Sequence, residues 1–143
     1  MTDRAHWRLS RPQSISSILS GTIDPVPLTY HGVLMRSTLE TDFARHLDHL
    51  GVPWLYEPRV FGVKGSGYLP DFQVTTDDGV PCYVEVKPTL AEVPLAKQRM
   101  EVIWDHEINA VLLVACAEGS RFFAASSLPS LGWVEFTEVW KHA

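Results

Sequence analysis

The sequence predicts a mixed α/β domain in which a central sheet is flanked by helices, and three observations predict it. Apolar residues recur with a helical period between residues 37 and 50. Two strand-like runs meet at Asp78-Gly79, a tight-turn pair. A continuous apolar run, "AVLLVACA", has the length and composition of a strand covered on both faces. At 143 residues the chain is long enough for one domain with a real core, and its 45% hydrophobic and 20% charged residues are ordinary for a globular protein.

Residues 1–30 are rich in Ser, Pro and Arg, lack a sustained period, and are expected to form an N-terminal arm ahead of one domain over 31–143. In that arm Arg4, Arg8 and Arg11 bracket Trp7. "RSTLETDFARHLDHLG" follows as the clearest helix: Leu39, Phe43, Leu47 and Leu50 fall at i, i+4, i+8 and i+11. Ser37 suits the N-cap, Glu40 three places on can complete a capping box, and Gly51 then Pro53 end the helix. His46 and His49 are read as surface residues of it.

"WLYEPRVF" reads as an edge or bent strand, because Pro58 cannot donate to a ladder. After a "VKGSG" turn come the strands "YLPDFQVTT" and "PCYVEVK", closed by Pro88. Pro94 suits the first turn of a second helix expected to reach about residue 108, with Met100, Ile103 and Trp104 inward. "AVLLVACA" is the next strand. "RFFAASS" and "GWVEFTEVWKHA" add two more strands and a terminal helical turn. Trp54, Trp104, Trp133 and Trp140 are expected in the core or at its rim.

Several function classes are set aside. No apolar run approaches the ~20 residues of a membrane span. "MTDRAHWRLSRPQ" lacks the apolar stretch of a secretory signal, so a cytoplasmic protein is expected. Two distant cysteines, Cys82 and Cys116, give neither a disulfide framework nor a zinc motif. Ser126 and Ser127 have no supporting His/Asp arrangement, and "GVKGSG" lacks the ending of a phosphate-binding loop. The net charge of −5 argues against a general basic field for nucleic acid, which would have to be met through local patches, a metal or a partner.

The run that stands out is "GYLPDFQVTTDDGVPCYVEVKP". Residues two apart on a strand share a face, so Glu85 and Lys87 point the same way, beside Tyr83, while Val84 and Val86 point the other. The neighbouring strand brings Asp71 close. Two carboxylates suit a hard cation such as Mg²⁺, which uses one or two of them and keeps several waters, and the Val86 carbonyl offers a further oxygen. Lys87 could steady negative charge growing on phosphorus. The same spacing also describes a structural ion pair of Lys87 with Asp71 or Glu85.

Leu69-Pro70-Asp71 followed by Glu85-Val86-Lys87, with a Glu-bearing helix upstream, resembles the PD-(D/E)XK nuclease superfamily. "RSTLETDF", "WLYEP", "YLPDF" and "YVEVKP" fall in the order and spacing of the TnsA-type endonuclease subunits of heteromeric transposases and of related small phage and mobile-element nucleases. The resemblance covers about residues 34–115. It implies a restriction-endonuclease-like αβββαβ core and a DNA cut dependent on Mg²⁺ or Mn²⁺. Asp71 and Glu85, with the Val86 carbonyl, would be metal ligands and Lys87 the catalytic lysine. Glu40 would be a further ligand or an organiser of its waters, unless the capping box is its whole role. Glu57 occupies the place of an acidic residue in a "YE" pair. Arg36, Lys64, Lys97 and Gln98 are the candidate contacts to nucleic acid. Longer TnsA-type proteins carry a separate DNA-binding domain, and a chain of this length is not expected to hold one. A partner protein or a second copy is therefore expected to deliver DNA. A nuclease-like fold serving only as a binding module is the alternative.

Overall fold

The computed structural model describes residues 28–62, 67–127 and 132–138. The arm up to residue 27, Lys64 with most of the "VKGSG" turn, Trp140 and the expected terminal helical turn lie outside the described residues. The chain divides into two compact units, one ending at Pro53 and the next beginning at Trp54. No helix among the described residues is long and apolar enough to cross a membrane.

In the first unit, β1 (Leu28–Tyr30) and β2 (Val33–Met35) form an antiparallel hairpin in the register Leu28↔Met35 and Tyr30↔Val33. Its first strand falls within the stretch expected to be arm, residues 1–30. His31 and Gly32 both take positive φ, 54° and 81°, the twist that a two-residue hairpin turn demands. Tyr30 Oη donates to Asp48 Oδ2 at 2.6 Å, and His31 Nε2 lies 2.7 Å from the same oxygen.

Helix α1 (Thr38–His49) begins and ends as its sequence predicts. Ser37 is the N-cap, accepting from the Glu40 N–H at 3.2 Å. The Gly51 N–H donates to Asp48 O at 3.0 Å and the Val52 N–H to Leu47 O at 2.9 Å, a Schellman ending made possible by Gly51 at φ 74°. The inward arc differs from the expected stripe. Glu40, Thr41, Phe43, Ala44, His46 and Leu47 are buried, whereas Leu50 is 51% exposed because it caps the helix. His46, expected at the surface, is instead buried with its ring 6.0 Å from that of Phe43, three residues back along the helix.

The second unit is a six-stranded mixed sheet in chain order: β3 (Trp54–Tyr56), β4 (Phe72–Thr75), β5 (Pro81–Lys87), β6 (Val111–Cys116), β7 (Arg121–Ser126) and β8 (Val134–Thr137). All neighbours are antiparallel except β5 and β6. A parallel pair needs a long crossover, and helix α2 (Val93–Met100) supplies it. β3 stops two residues before Pro58, so "WLYEPRVF" is strand only in its first part. Helix α2 is shorter than expected. It tightens into a 3₁₀ turn over Glu101–Asp105, which brings Met100 and Ile103, three residues apart, onto one fully buried line. With Tyr83, Leu112 and Val114 they form the core that ties α2 to the sheet. Each such side chain contributes about 1.5–3 kcal/mol by burial. Trp104 sits at the rim, its indole N–H donating to Ala110 O at 2.9 Å.

Candidate functional site

The β4–β5 register pairs Phe72 with Val84 and Gln73 with Tyr83, so strand alternation brings Asp71, Glu85 and Lys87 to the face that carries α2. Asp71 stands where β4 begins. Pro70 before it has no N–H, which ends the ladder there. The Asp71 N–H donates to Val84 O at 3.1 Å, and Asp71 O accepts from the Glu57 N–H at 2.8 Å. Its carboxylate is buried, only 3% of the residue being exposed, and Oδ2 accepts from the Val86 N–H at 2.8 Å. A side chain therefore replaces the ladder carbonyl that this N–H would otherwise meet. A strand residue turns its N–H and C=O to the same edge, so the Val86 carbonyl faces the Asp71 side.

Glu85 is held from two directions. Oε1 accepts from Tyr68 Oη, and Oε2 lies 3.3 Å from Lys87 Nζ. The Tyr68 hydroxyl is sensitive to the whole cluster. Burial, then the charge and hydrogen bond of Glu85, then the charge of Asp71 push its pKa far above the ordinary tyrosine value, against a smaller opposing effect of Arg99. Glu85 meets this hydroxyl directly, and Asp71 acts on it through its charge alone.

Glu85 and Lys87 open onto a cleft of about 260 Å³, whose other walls are Ala91, Glu92, Leu95, Ala96 and Arg99. The two alanines leave the room that larger side chains would fill. Leu95, Ala96 and Arg99 are three and four residues apart, one stripe of α2. Lys97 and Gln98 lie on other faces. Lys97 Nζ sits 4.5 Å from the Phe123 ring centroid and 5.6 Å from that of Trp133, and Gln98 is exposed and does not line the cleft.

Asp71, Glu85, Val86 and Lys87 are therefore brought together in the second unit. Arg36 and Glu40 form a pair in the first: the Glu40 carboxylate accepts from the Arg36 N–H at 3.0 Å and lies 3.4 Å from its guanidinium. The reciprocal bond of the expected capping box thus reaches Arg36, one residue before the N-cap. Glu57 touches the site through its backbone, at a positive φ of 47° that is uncommon for a residue with a Cβ. Tyr68 and Arg99 were not identified from the sequence. Arg99 was detectable, since it continues the Glu92–Leu95–Ala96 spacing. Tyr68 was not, because it reaches Glu85 from outside the named strands, through an isolated bridge to Phe61.

Among the described residues no group of three or more His, Cys, Asp and Glu side chains is placed to hold a metal ion. The oxygen donors expected from the sequence are the Asp71 and Glu85 carboxylates and the Val86 carbonyl, and of these residues Glu85 lines the cleft. Such an all-oxygen set suits Mg²⁺ or Mn²⁺ and does not suit Zn²⁺, which favours His and Cys ligands. No protein-family model matches the chain, and no curated protein matches it.

Proposed function

We propose that this chain is a divalent-metal-dependent DNA endonuclease built on the αβββαβ core of the PD-(D/E)XK nucleases. The carrying observation is a buried Asp71 whose carboxylate bonds the Val86 N–H, directly between Glu85 and Lys87 in the chain, while those two side chains line one cleft with the Lys87 ammonium 3.3 Å from Glu85. The order α1, β3, β4, β5, α2, β6, with β5 and β6 parallel, supports the same reading.

Asp71, Glu85 and the Val86 carbonyl would hold Mg²⁺ or Mn²⁺. Such an ion, when bound, offsets phosphate charge and lowers the pKa of its water. Hydrolysis joins a water oxygen to phosphorus and breaks one ester P–O bond. Lys87 exchanges its contact with Glu85 for a phosphate oxygen and steadies the charge that grows there. Arg99, on the far wall of the cleft, takes the role of backbone contact that the sequence assigned to Lys97 and Gln98. With a net charge of −5 the chain has little general attraction for DNA, so a partner protein or a second copy delivers the substrate within a larger DNA-processing complex.

Nicking of supercoiled plasmid in Mg²⁺ or Mn²⁺ tests this reading. Wild type is expected to cut, and Asp71→Asn and Lys87→Ala to lose at least about 100-fold in rate. A wild-type chain that neither cuts nor binds a divalent ion would leave a nuclease-like binding module in its place.

A further inference from the structure

We infer that Tyr68 is a positioning residue for Glu85: its hydroxyl fixes one carboxylate oxygen, so that the other stays turned to Lys87 and the cleft. This rests on the divalent-cation reading and deepens it, because the oxygen so presented is the one a cation would meet.

The two oxygens of Glu85 have different partners. Oε1 accepts from Tyr68 Oη, and Oε2 faces Lys87 Nζ at 3.3 Å. The second contact is longer than a strong charge-assisted hydrogen bond and belongs to a flexible side chain, so it exchanges readily. The first does not. Tyr68 is fastened to Phe61 by two backbone bonds, its N–H donating to Phe61 O at 2.6 Å and its carbonyl accepting from the Phe61 N–H at 2.7 Å. Phe61 itself is 1% exposed, a member of the core under α2. The hydroxyl is thus referenced to the core and not to a loop. Gly67 permits this path, because a Cβ there would run into Val60 Cγ1 and lie 3.3 Å from Phe61 O. A glutamate left to itself has three side-chain torsions to order when a ligand arrives. Holding one oxygen beforehand removes much of that cost. Groups that orient a metal ligand in this way typically alter metal affinity by about 10–100-fold.

The test is Mn²⁺ binding by the full chain, measured by titration calorimetry on wild type, Tyr68→Phe, Glu85→Gln and the double variant. Phe keeps the ring of a residue that is only partly buried, and a thermal melt of each variant checks its fold. Tyr68→Phe should weaken Mn²⁺ about tenfold. Because Tyr68 acts through Glu85, the double variant should bind no more weakly than Glu85→Gln. Equal affinity in wild type and Tyr68→Phe overturns the inference and leaves the nuclease reading standing. Additive losses in the double variant overturn it too, since Tyr68 would then act elsewhere. A wild-type chain without Mn²⁺ affinity overturns the divalent-cation reading and this inference with it.

Discussion

Two clusters on the same sheet face are built from the same three kinds of group: a phenol, a glutamate and a cation. At one end of β5, Tyr83 Oη donates to both Glu107 oxygens, at 3.0 and 2.9 Å, and Arg59 Nη1 donates to Glu107 Oε2 at 2.8 Å. At the other end stand Tyr68, Glu85 and Lys87. The first cluster is closed. One carboxylate meets one guanidinium at full hydrogen-bond contact, and Arg59 also lies 4.2 Å from the Phe61 ring centroid. The second carries a further carboxylate, Asp71, a looser ion pair at 3.3 Å, and a cleft with Arg99 on its far wall. Residue type alone does not distinguish a structural cluster from a candidate site. Surplus charge beside open space does.

The widest separation between the clusters should appear in catalysis. Lys87→Ala is expected to reduce metal-dependent plasmid cleavage by about 10²–10³-fold, whereas Arg59→Ala should leave its rate within about twofold. Equal losses would erase the distinction. Ligand-linked stability comes next. Mn²⁺ at a hundredfold excess over its Kd should stabilise wild type by about 2.7 kcal/mol in urea unfolding. Glu107→Gln should keep that increment and Glu85→Gln should lose most of it.

The closed cluster should show its own effect without metal. Glu107→Ala leaves the Tyr83 hydroxyl, on a residue only 2% exposed, without its acceptor and should cost about 1–3 kcal/mol by urea unfolding. Glu107→Gln should cost less, since its amide oxygen still accepts. Asp71→Ala should be comparably costly because it orphans the Val86 N–H, and Asp71→Asn milder for the same reason.

The smallest effect is one the clusters share. The pKa of Tyr83 is raised by burial first and then by Glu107, and that of Tyr68 by burial, Glu85 and Asp71. In the unfolded chain tyrosine ionises near pH 10, while both folded phenols hold their protons, so the unfolded state binds fewer protons above that pH. Stability contributed by the two phenols is therefore complete below about pH 10 and falls as pH rises beyond it. Tyr83→Phe and Tyr68→Phe should each flatten that decline in melts taken between about pH 9 and 11.

Much of this molecule was legible locally. Ser37, Gly51, the Asp78-Gly79 turn and Pro94 act through their own backbone geometry, and the apolar run of β6 needs no distant partner to read as a central strand. The β1–β2 hairpin was less legible because His-Gly replaces the usual Asn-Gly or Asp-Gly at its turn. Burial of His46 followed from packing against Phe43, which no propensity records. The acidic and basic positions of β5 were visible as a strand alternation. The division of α2 between Arg99 at the cleft and Lys97 over aromatic rings depended on where the helix sits against β6 and β7.

By itself the sequence determined the mixed α/β class, both ends of α1, the start of α2 and the common face of Glu85 and Lys87, since caps, turn residues and the two-residue period of a strand are short-range physics. Tertiary structure alone decided that Asp71 would bond the Val86 N–H, that Tyr68 would take one oxygen of Glu85, and that a cleft would open beside Lys87. Those contacts join residues brought together by the packed core, and their energies depend on burial that exists only once the sheet and α2 have closed on each other.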